Sequence, residues 1–203
     1  NALLRRWQTE GLSTSTLKNR MAHLRWTLRK LGNPGAMAAS NDAYGIPKRV
    51  YVATVSKAHE LPHDVVLRVR NAYVRYSLEL QRAFGLRMKE AIMIQVHQAD
   101  YGDRLVLQAK WTKGGRAREI PIVTLAQREL LDRVKAFVRH KASALIPHDK
   151  KYIQQVHSYD AQCRLVGLNH NHGLRHQYAQ ERFATLAGFS CPVTGGPHHR
   201  DLT

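Results

Sequence analysis

The chain has 203 residues, 43% hydrophobic and 23% charged, a composition that can bury a core and does not resemble a disordered segment. Its 32 Lys and Arg against 15 Asp and Glu leave a formal charge of +17, which points to a polyanion: DNA, RNA or an acidic membrane surface. Apolar runs only a few residues long, such as Ala91-Ile92-Met93-Ile94, exclude a transmembrane helix, and the N-terminus lacks the apolar stretch of a signal peptide. Two cysteines, Cys163 and Cys191, cannot build a disulfide framework and suit a reducing cytoplasm.

The first helix is expected over Asn1 to Glu10, with Leu3, Leu4 and Trp7 on one side, and Gly11 ends it. Ser13, Thr14 and Ser15 offer an N-cap for a second helix reaching about Leu31, with an apolar stripe of Leu17, Met21, Leu24, Leu28 and Leu31. Lys18, Arg25 and Arg29 share one flank of that stripe. Gly32-Asn33-Pro34-Gly35 terminates the helix, and Ala36 to Tyr44 suggests one more. Gly45 to Lys57 reads as an extended basic connector around Val50-Tyr51-Val52, with Pro47, Lys48, Arg49 and Lys57. A domain boundary is placed near Lys57, before the fresh helix start at Leu61-Pro62-His63-Asp64.

Beyond that boundary, helical spacing covers Asp64 to Phe84, with Val66, Val69, Tyr73, Tyr76, Leu80 and Phe84 facing a core. After Gly85 a helix is expected over Leu86 to Val96. The period then changes, and Arg104 to Trp111 and Arg116 to Val123 read as a hairpin turned at Thr112-Lys113-Gly114-Gly115. Thr124 and Gln127 form a capping box for a helix running to about Ser143, before Pro147. Further helices are expected from about Lys150 to Val166 and from His172 to Ala187, followed by a Gly- and Pro-rich tail from Gly188 to Thr203. The fold class is mainly α with one small antiparallel β-sheet (α+β).

Three segments carry chemistry. Gly85-Leu86-Arg87-Met88-Lys89-Glu90 opens a helix, Lys113 sits in the hairpin ahead of Arg118-Glu119-Ile120-Pro121-Ile122, and His172-Gly173-Leu174-Arg175-His176 opens another helix. His172, Arg175 and His176 lie at i, i+3 and i+4 and so share a face. Cations from three separate elements suit a phosphate whose charge grows during reaction. Two arginines clamp its oxygens, a lysine protonates a leaving oxygen, and a histidine moves a proton. The histidines His170, His172 and His176 have no nearby cysteine or carboxylate to complete a metal site, so neither a metal nor another cofactor is expected.

In these three segments the chain resembles the tyrosine recombinases, the phage-integrase type of site-specific DNA recombinase. Gly85-Leu86-Arg87 with Glu90 matches the family's first arginine box, Lys113 its hairpin lysine, and His172 to Arg175 its His-x-x-Arg box. The resemblance implies a recombinase catalytic fold over 58–203, preceded by a partial helical core-binding domain and linker over 1–57. It implies phosphate contacts from Arg87 and Arg175, acid catalysis by Lys113, proton transfer assisted by His172, and support from Glu90 and His176. Contacts to DNA are expected from Lys18, Arg25, Arg29, Lys48 and Arg49. The implied reaction forms a 3′-phosphotyrosyl link on duplex DNA, in a homotetramer on paired sites that is a monomer or weak oligomer without DNA. It would serve a phage or integrative element in a bacterial cytoplasm, at the nucleoid and away from membranes.

The family carries a further His or Trp and the nucleophilic tyrosine beyond the His-x-x-Arg helix. Tyr178 lies on that helix, too early for the role, and His198 and His199 lack the surrounding pattern. The chain is therefore expected to end before the nucleophile and to be inactive alone. The alternatives are a non-catalytic DNA-binding relative that occupies or regulates sites, and a type IB topoisomerase, for which the chain is short.

Overall fold

Two helices carry the first 30 residues in the computed structural model, which describes residues 2–51 and 54–202. The helix start expected at Asn1, Val52 of the connector and Thr203 of the tail lie outside the described residues. Helix α1 (Ala2–Thr9) buries Leu4, and α2 (Thr14–Lys30) buries Leu17 and Met21. The Ser13 side chain accepts the Thr16 N–H and so caps α2. Ile46 joins Leu4, Leu17 and Met21 in a small core. The stripe of α2 fades toward its end, where Leu31 is exposed.

The helix expected over 36–44 is absent. Two 3₁₀ turns stand in its place, Pro34–Ala36 at its start and Asp42–Tyr44 at its end. The Arg25 guanidinium supplies the reason, because it takes the Ala38 and Ser40 carbonyls and the Asn41 Oδ1 at 2.8–3.0 Å. Carbonyls pointed at a side chain cannot also accept along a helix. Residues Asn1–Thr54 form one compact unit and Val55–Thr203 a second.

In the second unit the single helix expected over 64–84 is two: α3 (His63–Arg68) and α4 (Ala72–Phe84). Val69 turns to extended backbone, and the Asn71 side chain accepts the Tyr73 and Val74 N–H groups as an N-cap. Gln162 Oε1 accepts the N–H groups of Arg70 and Asn71, which holds the break open. The next expected helix also divides, into α5 (Met88–Met93) and α6 (Val96–Ala99), at extended Ile94.

The strands are shorter than expected: β1 (Arg104–Leu107) pairs antiparallel with β2 (Arg118–Pro121), Leu105 opposite Ile120 and Leu107 opposite Arg118. Trp111 leaves the hairpin to fill the core from a 3₁₀ turn, Ala109–Trp111. The Thr124–Gln127 capping box starts α7 (Leu125–Phe137). That helix stops short of Ser143, because Arg139 takes a positive φ of 26° and the chain turns back, where Leu145 N–H donates to the Ile92 carbonyl. Helices α8 (Tyr152–Leu165) and α9 (His172–Ala187) complete the unit, and the tail carries two 3₁₀ turns.

Helix α4 is central: α3, α5, α7, α8 and α9 all pack on it. One core gathers Leu80, Phe84, Leu105, Leu107, Trp111, Leu131 and Val134. A second gathers Val69, Val74, Leu78, Ile92, Tyr159, Cys163 and Leu174. Buried Cys163 accepts a contact from Asn171 Nδ2 at 3.1 Å, and burial pushes its thiol up to about 11, so it is not a nucleophile. Among the described residues no helix is long and apolar enough to cross a membrane.

Candidate active site

Gly85 ends α4 in the left-handed region (φ +58°), and this turn delivers Arg87 to the N-cap of α5. Glu90, with no exposed surface, sits one turn into α5. Its Oε2 accepts the Arg87 backbone N–H at 2.8 Å, which caps the helix, and its Oε1 accepts Arg87 Nη1 at 2.8 Å. A carboxylate in the first turn is also favoured by the helix dipole, and it offsets the poor placement of an arginine there.

Arg118 arrives from β2 and donates Nη2 to Glu90 Oε2 at 2.6 Å. The third guanidinium comes from α9, where Arg175 Nη1 donates to the Gly85 carbonyl. The close seat of α9 has two visible causes. A Cβ on Gly85 would lie 3.1 Å or less from the Tyr178 ring, and a Cβ on Gly173 would lie 2.7 Å from the Lys57 carbonyl and from His59 Nδ1. Ser56 and Lys57, given to the connector by the sequence, thus lie against α9. His59 N–H donates to the Gly173 carbonyl, and Ser56 Oγ bonds the Gln180 amide at 2.9 Å.

Two guanidinium groups therefore pair with one carboxylate and a third lies close enough to feel all three charges, leaving an excess of positive charge. Burial, then Arg118 and Arg87, lower the Arg175 pKa from its ordinary value, with Glu90 opposing. For Arg118, burial lowers it, Glu90 raises it and Arg87 lowers it. Arginines remain charged through such shifts, so the repulsion is relieved by an anion rather than by loss of a proton. His172, at the first position of α9, lies within the same field. Burial, then His176, Arg175 and Arg87, hold its pKa below the usual imidazole value. Its ring meets that of His176 edge to face, centroids 5.1 Å apart. A neutral imidazole beside a cationic pocket can accept or relay a proton.

Arg87, Glu90, His172, Arg175 and His176 are thus brought together. Lys113 stands apart on an exposed turn whose base is closed by Thr112 Oγ1, which donates to the Ala109 and Arg116 carbonyls at 3.0 and 2.8 Å. Among the described residues Lys113 makes no hydrogen bond or ion pair. Arg118 is the member that sequence reasoning missed. Its signal was strand alternation: Ile120 faces the core, so Arg118, two residues earlier, faces the same side.

The basic residues of the first unit divide in two. Arg25 holds the 38–41 loop, and Arg49 binds the Ser15 carbonyl and Asn19 Oδ1 at 3.1 and 2.6 Å. Arg29 and Lys48 are exposed and Lys18 is half-buried. Among the described residues no cluster of His, Cys, Asp and Glu could hold a metal ion.

Comparison with known proteins matches two families. The profile described as "Integrase" covers residues 47–181, and that described as "Phage integrase, N-terminal" covers residues 1–36. No curated protein matches. Among solved structures, a lambda integrase tetramer bound to a Holliday junction shares the fold, with a TM-score of 0.55 and 16% identity. The match covers 90% of this chain and 58% of that one, so this chain spans little more than half the length of that protein.

Proposed function

The chain belongs to the integrase family of tyrosine recombinases, and from that premise we propose that its second unit grips a phosphate of duplex DNA for site-specific strand cleavage and rejoining. The observation that carries this reading is that Arg87 and Arg118 share one buried carboxylate while Arg175, held on the Gly85 carbonyl, lies within their field, so that among the described residues three guanidinium groups face one carboxylate. Arg87 and Arg175 take the non-bridging oxygens, and their contacts strengthen as the phosphorane charge develops. A tyrosine hydroxyl attacks phosphorus. The P–O bond to the 5′ carbon's oxygen breaks, leaving a 3′-phosphotyrosyl link, and the departing 5′ oxygen takes its proton from Lys113. Neutral His172 moves the proton of the attacking hydroxyl. A second 5′ hydroxyl then reverses the step on another strand, within four protomers on paired sites, while Lys18, Arg29 and Lys48 of the first unit contact the backbone.

Tyr178 is not the attacking group. Its ring is wedged on Gly85, and burial raises its hydroxyl pKa, which disfavours the phenolate. The chain Asn1–Thr203 is accordingly expected to bind DNA without forming a covalent adduct. Two measurements test the proposal. Affinity for duplex DNA is expected to fall by roughly 10³-fold or more between about 50 and 200 mM salt. Arg175→Ala, in a cleavage-competent protein carrying this chain, is expected to lower the cleavage rate by about 10²-fold or more while changing DNA affinity far less. A salt-independent affinity removes the DNA reading. Retained cleavage removes the clamp. A protein–DNA band on a denaturing gel that vanishes in Tyr178→Phe removes the assignment of Tyr178.

A further inference from the structure

We infer that Arg118 is a positioning residue of the phosphate clamp: through Glu90 it sets the direction of the Arg87 guanidinium. The inference rests on the reading of Arg87 and Arg175 as phosphate ligands. It starts from the strand. Along β2 the side chains alternate, so Glu119 points outward and pairs with Arg104 at 3.2 Å, while Ile120 enters the core. Arg118 shares the face of Ile120, which turns a cation toward the interior, with 27% of its side chain exposed. A cation so placed needs an anion, and Glu90 provides it.

The division of labour at Glu90 is specific. Among the described residues Oε1 accepts only Arg87 Nη1, while Oε2 accepts the Arg87 backbone N–H and Arg118 Nη2. Arg87 thus gives the carboxylate one guanidinium donor and keeps its remaining side-chain donors for another acceptor. Arg118 occupies the second oxygen and blocks the two-pronged Arg–carboxylate pairing that Glu90 and Arg87 would otherwise adopt. Without Arg118 the Arg87 fork would rotate onto Glu90 and away from the phosphate. Arg118 itself is held on this side by Glu90, and its buried Nε has no partner among the described residues. Its strand also leads directly from the Lys113 turn, so the same ion pair ties the base of that turn to the start of α5.

The test uses the whole chain and inorganic phosphate as the probe, reading the Nε–Hε resonances of Arg87 and Arg175 by NMR, with thermal midpoints of the same samples. Arg118→Met is expected to weaken phosphate binding about tenfold, and Arg118→Lys to restore it to within about threefold, because a lysine still occupies Oε2. In an Arg87→Met background, Arg118→Met is expected to add less than about a twofold effect, since there is no longer a fork to direct. An equal effect in both backgrounds would make Arg118 a phosphate ligand in its own right and overturn the inference. So would a lowered midpoint with unchanged phosphate affinity, which marks a purely structural pair. If Arg118→Met does not fold, the Lys variant decides alone: loss of phosphate binding with a retained fold and ion pair overturns the inference. Absence of any phosphate response in the unsubstituted protein would instead overturn the clamp itself, and is distinguishable because it precedes every substitution.

Discussion

Gly85→Ala concentrates several features of this molecule at one atom. Gly85 sits in the left-handed region, its Cα faces the Tyr178 ring, and its carbonyl accepts the Arg175 guanidinium. A side chain in that backbone conformation costs about 1–2 kcal/mol. The added Cβ would lie 3.1 Å from both Cγ and Cε1 of Tyr178 and closer still to Cδ1, so α9 must shift away from the α4–α5 turn. Overpacking of this kind costs about 1–3 kcal/mol. The sum, about 3 kcal/mol, corresponds to a fall of about 6–12 °C in the thermal midpoint of a unit this size. Differential scanning calorimetry reads the midpoint directly. Tyr178→Leu relieves the contact but not the backbone strain, so the double variant is expected to be more stable than the sum of the two single effects by about 1–2 kcal/mol. Strict additivity, or a Gly85→Ala midpoint within about 1 °C of the parent, would show that the ring does not rest on this glycine.

Acid stability is expected to depend on Asp100. Burial alone would raise its pKa, but Arg128, Lys135 and the Gly102 N–H hold it at about 2, against an ordinary 3.8. A depressed carboxylate stabilises the fold above its unfolded pKa and loses that contribution as pH falls from about 4 to about 2, here about 2 kcal/mol. Asp100→Asn is expected to flatten the unfolding midpoint across that window, and an unchanged pH profile would refute the network's role. His172 predicts a second pH effect. An anion beside the arginines raises a pKa that the free protein holds low, so binding takes up a proton and the affinity for sulfate, whose charge is constant in this range, rises as pH falls through the titration of His172. His172→Gln is expected to reduce that slope in a sulfate titration repeated at several pH values.

Local rules made much of the chain legible. Ser13 as a cap, Thr124 with Gln127 as a capping box and the limits of α9 follow from side chains that bond within a few residues of themselves. The family boxes were legible for a related reason: Arg87 and Glu90 lie one helical turn apart, as do His172 and Arg175, so spacing alone puts each pair on one face. The breaks within helices were harder. Between α3 and α4 the interruption needs Gln162, which lies 92 positions from Arg70, and Asn71 was readable as its cap only once that break was known. The 36–44 segment failed likewise, because Arg25 draws its carbonyls from 13 and 15 residues away. A basic side chain that looks ready for DNA in sequence is here a brace for a loop.

What the sequence determined by itself is the set of parts: a basic helical segment, the three cation-bearing boxes, and the turn chemistry that separates them. Those depend on interactions within a turn or two of chain. Only the tertiary structure decided which cations meet. Arg118 joined the site because antiparallel pairing with β1 and the burial of Ile120 turned its side chain inward onto Glu90, 28 positions away. Arg175 met Gly85, 90 positions away, because Gly85 beneath α9 and Gly173 within it both lack the Cβ that would hold the helix off. Charge type is written residue by residue, whereas the excess of positive charge around one carboxylate exists only after distant elements pack, since Coulomb repulsion of this kind acts over a few ångströms in space and not along the chain.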